Sequence, residues 1–137
     1  MKNRPFLALA TLLLATLAGC SLQEKYAKNN AAAASWLAST KTAPATTNFE
    51  GVYYSPDWGQ AVLNQSNGEL TGAIGHFNIK GSVSGRTASL ALIDDQWVEY
   101  TMVLTKRDGE FLTGSFSPCI PFCAKGSNTA KFVRIGN

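Results

Sequence analysis

Three cysteines and a single histidine hold most of the nucleophilic and ligating capacity of this 137-residue chain. Cys119 and Cys123 stand in the run Pro118-Cys119-Ile120-Pro121-Phe122-Cys123. The spacing is one residue longer than the Cys-x-x-Cys of redox sites, and no histidine or second cysteine pair lies nearby to complete a zinc site. In an oxidising compartment the pair reads as a disulfide; two free thiols, or metal or redox chemistry, are the alternatives. Any histidine-assisted catalysis must use His76. Gly75-His76 is a predicted two-residue turn, which leaves that imidazole in solvent. Gly81-Ser82-Val83-Ser84-Gly85 has Val at the centre, where a nucleophile elbow needs serine. No phosphate loop, His-Glu-x-x-His or Ca²⁺ loop is present in the sequence. Asp57, Glu69, Asp94, Asp95, Glu99, Asp108 and Glu110 could supply a hydrolase pair, but their spacing selects no two of them. Asp94-Asp95 is ordinary turn chemistry. The expectation is a non-catalytic protein without cofactor or metal.

The third cysteine, Cys20, closes an N-terminal segment of a different kind. Lys2 and Arg4 precede an apolar run from Phe6 to Ala18 broken only by the hydroxyls of Thr11 and Thr16. That layout is a secretory signal. At about thirteen residues the run is short of the roughly twenty that a membrane span requires. Its end, Leu17-Ala18-Gly19-Cys20, resembles the lipobox of bacterial lipoproteins. The resemblance implies a diacylglyceryl thioether on Cys20, cleavage before it, and N-acylation (the palmitate class of modification) of the new terminus. Ser21 in place of Asp resembles the outer-membrane sorting signal of enteric-type cells. The expected location is therefore the cell envelope or periplasm, lipid-anchored, at the outer membrane rather than the inner one where the cell has two membranes; which face of the membrane the domain occupies is left open.

Cleavage leaves residues 20–137, a one-domain length. Net charge falls from +3, because Lys2 and Arg4 leave and ten basic residues then face nine acidic ones. Such balance argues against a nucleic-acid binder and offers little attraction to anionic lipid beyond an acyl anchor. Three regions are expected: a signal peptide at 1–19, a lipidated tether at 20–48 and a β domain at 49–137. The tether is rich in Ala, Asn, Ser and Thr. Asn29 or Asn30 could N-cap a short helix through Ala31–Ala34 to Ser39, with Pro44 beyond its end. Otherwise the tether reads as flexible coil. Trp36 either lies at the membrane interface or docks on the domain.

From Asn48 onward the apolar period is two. Phe77, Ile79 and Val83 alternate with Asn78, Lys80, Ser82 and Ser84; Val98, Tyr100, Met102 and Leu104 alternate with Glu99, Thr101 and Val103. Such alternation gives antiparallel strands with one wet face. Asn67-Gly68 and Asp108-Gly109 suit type I′ turns, Gly75-His76 suits type II′, and Ser84-Gly85 and Asp94-Asp95 are further tight turns. Strands are predicted at 50–54, 59–66, 69–74, 77–83, 87–93, 97–105, 110–117 and 129–135. Eight short strands with mostly tight turns, the one long connection being 118–128, predict an all-β, antiparallel up-and-down barrel, since closure removes exposed edges. Gly51-Val52-Tyr53-Tyr54, Gly59 and Gly68-Glu69-Leu70-Thr71-Gly72 resemble the opening hairpin of avidin-like and lipocalin-like barrels, with Tyr53 in place of their Trp. The resemblance implies the fold. The biotin site does not carry over, because Ser55 and Gln60 stand nearest to its polar positions and Gly75-His76 leaves no room for a closing loop.

A barrel of this size either fills its interior with side chains or holds one small apolar ligand. Tyr53, Tyr54, Trp58, Trp97 and Phe111 exceed what one small core accommodates, so Tyr53, Trp58, Trp97 and Phe111 are candidate anchors for a protein partner. Ile120 and Phe122, held by the Cys119–Cys123 bridge, form either a rigid apolar knob of the same use or a loop packed back over the barrel. The expected function is a protein-binding envelope lipoprotein; a carrier of a small apolar ligand is the alternative.

Overall fold

The computed structural model describes residues 7–108, 110–125 and 128–137, and of residues 7–21 only the backbone. Eight strands, β1 (Gly51–Ser55), β2 (Gly59–Ser66), β3 (Glu69–Ile74), β4 (Phe77–Ser84), β5 (Thr87–Asp94), β6 (Trp97–Arg107), β7 (Phe111–Ser117) and β8 (Asn128–Gly136), follow one α-helix, α1 (Leu7–Thr40). Each strand pairs antiparallel with the next, and β8 pairs with β1, closing an up-and-down barrel. The turn chemistry fixes this register locally. Asn67 and Gly68 both have positive φ (52° and 76°), which a type I′ turn requires, and Gly75 has φ 58°. The next two turns sit one residue later than expected: Gly85-Arg86 joins Ser84 to Thr87, and Asp95-Gln96 joins Asp94 to Trp97. The Asp108-Gly109 turn lies partly outside the described residues.

The core is the inward row of all eight strands. Leu63, Leu70, Ile74, Leu90, Leu92, Met102, Leu104, Leu112 and Phe132 are essentially inaccessible to solvent. Full burial of one such side chain is worth roughly 1.5–3 kcal/mol. Tyr53 is buried among them, not presented to a partner. Its hydroxyl donates to the Phe49 carbonyl at 3.0 Å, and burial pushes its pKa up, partly offset by the Arg134 guanidinium. One inward assignment fails. Glu99 has no counterpart on β5, because Tyr100 pairs with Leu92 and Val98 with Ile93. This bulge reverses the side-chain parity, so Val98 faces outward while Tyr100 faces in.

The segment before the barrel is helical and docked, where the sequence led to a flexible or short-helical tether. Asn30 caps nothing. Its amide bridges the β5–β6 turn, donating to the Gln96 carbonyl at 2.9 Å and accepting from the Val98 amide at 3.0 Å. Below it, Ala33 and Leu37 pack on Ala91 and Val98 with Trp36, Ile93 and Ile120 around them. At the helix end Thr40 meets Ser82, and the backbone amide of Thr42 donates to the Ser84 hydroxyl. The chain then crosses the lower mouth. Gln65 receives the Phe49 amide and donates to the Thr47 carbonyl, and Lys106 donates to the Asn48 carbonyl. Phe49 is thereby fixed as a fully buried plug. Helix α1 thus runs down β4–β6, from the β5–β6 turn to the β4–β5 turn.

Candidate interaction surface

The barrel axis is filled. Phe49 and Tyr53 occupy the lower end, and an aromatic group closes the upper one. Trp58, from the β1–β2 turn, has its ring centre 4.7 Å from Phe116, 5.5 Å from Tyr100 and 6.0 Å from Phe77. Edge-on contacts of this kind add to the area they bury. Trp58 is therefore a lid residue, only partly accessible, rather than an outward anchor. Its Nε1 is buried and makes no hydrogen bond among the described residues.

Trp97 is likewise covered. Tyr26 of α1 stacks on it at 5.0 Å between ring centres. The 118–123 segment forms no projecting knob. Cys119 and Cys123 are bonded, with Cα atoms 5.7 Å apart, and the segment folds over the outer face of β6. Thr101 Oγ1 donates to the Cys119 carbonyl at 2.6 Å, and this buries Thr101 on the face that alternation left wet. Ile120 joins the cluster beneath α1, and Phe122 stacks on Trp36 at 5.9 Å. The bridged loop is a clasp on the helix.

This assigns the bridge a local role. A closed loop this short stabilises by only about 2 kcal/mol. The double variant Cys119→Ser with Cys123→Ser is expected to keep the barrel folded and to melt modestly lower, with faster amide exchange in α1 around Trp36. A variant that cannot fold would show that the clasp is needed for the barrel itself. Two alkylatable thiols in protein taken from its native cells would remove the bridge.

Of the anchors expected from sequence, Phe111 alone is exposed, and it has neighbours that sequence reasoning missed. The exposed large apolar side chains of the barrel are Tyr54, Val62, Phe111, Val133 and Ile135. All lie on β7, β8, β1 and β2. Phe111 pairs with Val133, Val133 with Tyr54, and Val52 with Val62. They form one patch, on the wall opposite the docked helix. Lys131 Nζ stands 5.3 Å from the Phe111 ring centre, and Gln60, opposite Tyr54, adds a polar margin. The sequence signal was available: outward positions of β1, β2 and β8 carry Val, Tyr and Ile where β4 carries Asn and Lys. It meant nothing until the closure placed β8 beside β1.

Two further features complete the surface. A cleft of about 350 Å³ lies between α1 and the β4–β5 wall, lined by Ala33, Leu37, Ile93 and Lys80 among others. His76 Nε2 is 3.8 Å from Asp94 Oδ2, with both side chains mostly in solvent. Among the described residues no group of three His, Cys, Asp or Glu side chains comes together, and no described helix is long and apolar enough to cross a membrane.

Fold and surface together define a class: a small side-chain-filled up-and-down barrel, helix-clad on one side and apolar on the other. Comparison with known protein families, with curated proteins and with solved structures found no match.

Proposed function

We propose that this chain is a membrane-anchored, non-catalytic envelope lipoprotein whose barrel binds another protein through the bare wall of β7, β8, β1 and β2. The observation that carries the reading is the segregation of the barrel's exposed large apolar side chains onto that one wall. Scattered apolar residues on a surface are ordinary, but a contiguous patch with polar margins marks a contact site. Tyr54 and Phe111 supply large area at little entropic cost, as anchors do. Envelope-assembly components, inhibitors of foreign hydrolases and immunity lipoproteins share this description. The Cys20 lipid would hold the barrel at the membrane, the outer one in a two-membrane cell.

Carriage of a small apolar ligand is the second reading. The side chains packed along the barrel axis favour the cleft under α1 over the barrel interior. The cleft under α1, with Lys80 at its rim, is within the range of about 300–1,000 Å³ found for small-molecule pockets. A lipid co-purifying in native mass spectra, and lost on Ala34→Trp, would favour it.

The protein-binding reading is tested on the wall. Tyr54→Lys with Val133→Glu changes exposed positions and sets opposite charges on two paired residues, so stability is expected to change little, about 0.5 kcal/mol or less per site. Cross-linking in native membranes is expected to capture a partner with the parent chain and lose it with the double variant. Equal capture by both would place the interface elsewhere.

A further inference from the structure

We infer that the upper end of the barrel, which carries the β5–β6 turn with Gln96 and Trp97, is seated on the bilayer surface, with α1 as a rigid strut. The inference rests on the lipid anchor at Cys20. Cys20 lies within α1, which continues unbroken to Thr40. The helix first meets the barrel at Tyr26, stacked on Trp97. Tyr26 is six positions beyond Cys20, about 9 Å at 1.5 Å per residue. A coil of that length would let the barrel tumble. A helix clamped by Asn30 at one end and by Thr40 and Thr42 at the other does not.

The helix direction selects the end. Asn30 meets the start of β6, and Thr42 meets the end of β4, so the N-terminal side of α1 rises past the upper turns. Between Cys20 and the first barrel contact lies Leu22, 59% exposed, among the described residues the one large exposed apolar side chain outside the wall. It stands four residues before Tyr26 and so shares its helix face. Beside an acyl chain, the headgroup boundary would bury Leu22. The Tyr26–Trp97 pair lies at the depth where aromatic side chains collect at membrane interfaces. This end carries charges of both signs, Lys25 and Lys28 with Glu24 on α1 and Asp94 and Asp95 at the β5–β6 turn, so the seating depends on the anchor and these apolar groups and is insensitive to salt. The Arg86 end then points away from the membrane, and the bare wall stands upright on it.

The test uses the full chain, processed in cells and reconstituted into phosphatidylcholine vesicles that contain a nitroxide-labelled lipid. A fluorophore is attached at Gln96→Cys or at Arg86→Cys, both exposed turn positions. Quenching is expected to be several-fold stronger at 96 than at 86, and unchanged by salt. A flexible Gly-Ser insertion between Ser21 and Leu22 is expected to level the two. His76→Cys and Arg107→Cys form a second pair, should either label disturb folding. Intact mass of the same sample reports the acyl groups on Cys20. A chain without them overturns the anchor and the seating together. An acylated chain with equal quenching at both ends overturns the seating alone.

Discussion

Gly114→Ala is expected to unfold the barrel or to cost it the larger part of its stability. Gly114 sits on β7, opposite Leu104 of β6 and Ala130 of β8. A Cβ at this position would overlap the Val103 carbonyl oxygen and press on the Leu104 Cα. Both are backbone atoms, so no rotamer change relieves the clash. The β6–β7 ladder must open, and it is a seam of a closed ring in which every strand depends on two neighbours. Overpacking of a core with side chains costs about 1–3 kcal/mol; a backbone clash that parts a ladder should exceed that range. Domains of this kind hold only about 5–15 kcal/mol in all. Gly85→Ala is the control. Gly85 has φ +57°, and nothing lies within 4 Å of the point that a Cβ would occupy there. Its penalty is left-handed backbone strain alone, about 1–2 kcal/mol. Thermal melts of the two variants are the measurement. Equal destabilisation would mean that β6 and β7 do not approach so closely at Gly114.

Cys20→Ser is expected to release the protein from the membrane or to leave it unprocessed. Thioether formation requires a thiol, and serine supplies none. Cys119 and Cys123 cannot substitute, being bonded to each other and far along the chain. The barrel itself should be unaffected, because the first barrel contact of α1 lies six residues later, at Tyr26. Fractionation should therefore find the variant folded but soluble, or retained as a precursor carrying residues 1–19, with no acyl mass. Normal processing together with normal membrane retention would refute the lipobox reading. In the Cys20→Ser background the protein partner proposed for the bare wall should still be captured by released protein, since Tyr54 and Val133 lie on the barrel and not on α1. That separates loss of location from loss of recognition.

The strand borders were legible to within a residue or two, and the reason is local. Period-two alternation marks each strand, and a turn with positive φ, as at Asn67-Gly68 and Gly75, marks the joints from β1 to β6. Eight such strands with short connections have few ways to pair, so closure followed. Most of the core row, from Leu63 and Leu70 to Leu104 and Leu112, was legible for the same reason. Val98 was not. The bulge at Glu99 is set by the pairing of two strands, and the sequence around Trp97-Val98-Glu99-Tyr100 alternates smoothly across it.

The environment of the aromatic residues was not legible either. Tyr53, Trp58 and Trp97 have the composition of surface anchors, yet one is in the core, one closes the mouth and one lies under Tyr26. Burial depends on what closes over a side chain, and here the neighbours come from distant segments: Phe77, Tyr100 and Phe116 around Trp58, and Tyr26 of α1 over Trp97. Helix α1 gave little warning, since its apolar side chains make no continuous stripe. Its docking relies on small residues, Ala33 and Ala91, that permit close approach, and on one amide, Asn30, matched to the β5–β6 turn. Strands and turns could be read along the chain, because each is written in neighbouring residues. Which wall is bare could not. That outcome required β8 to return to β1 and α1 to take the opposite side, and both are contacts between residues far apart in the chain.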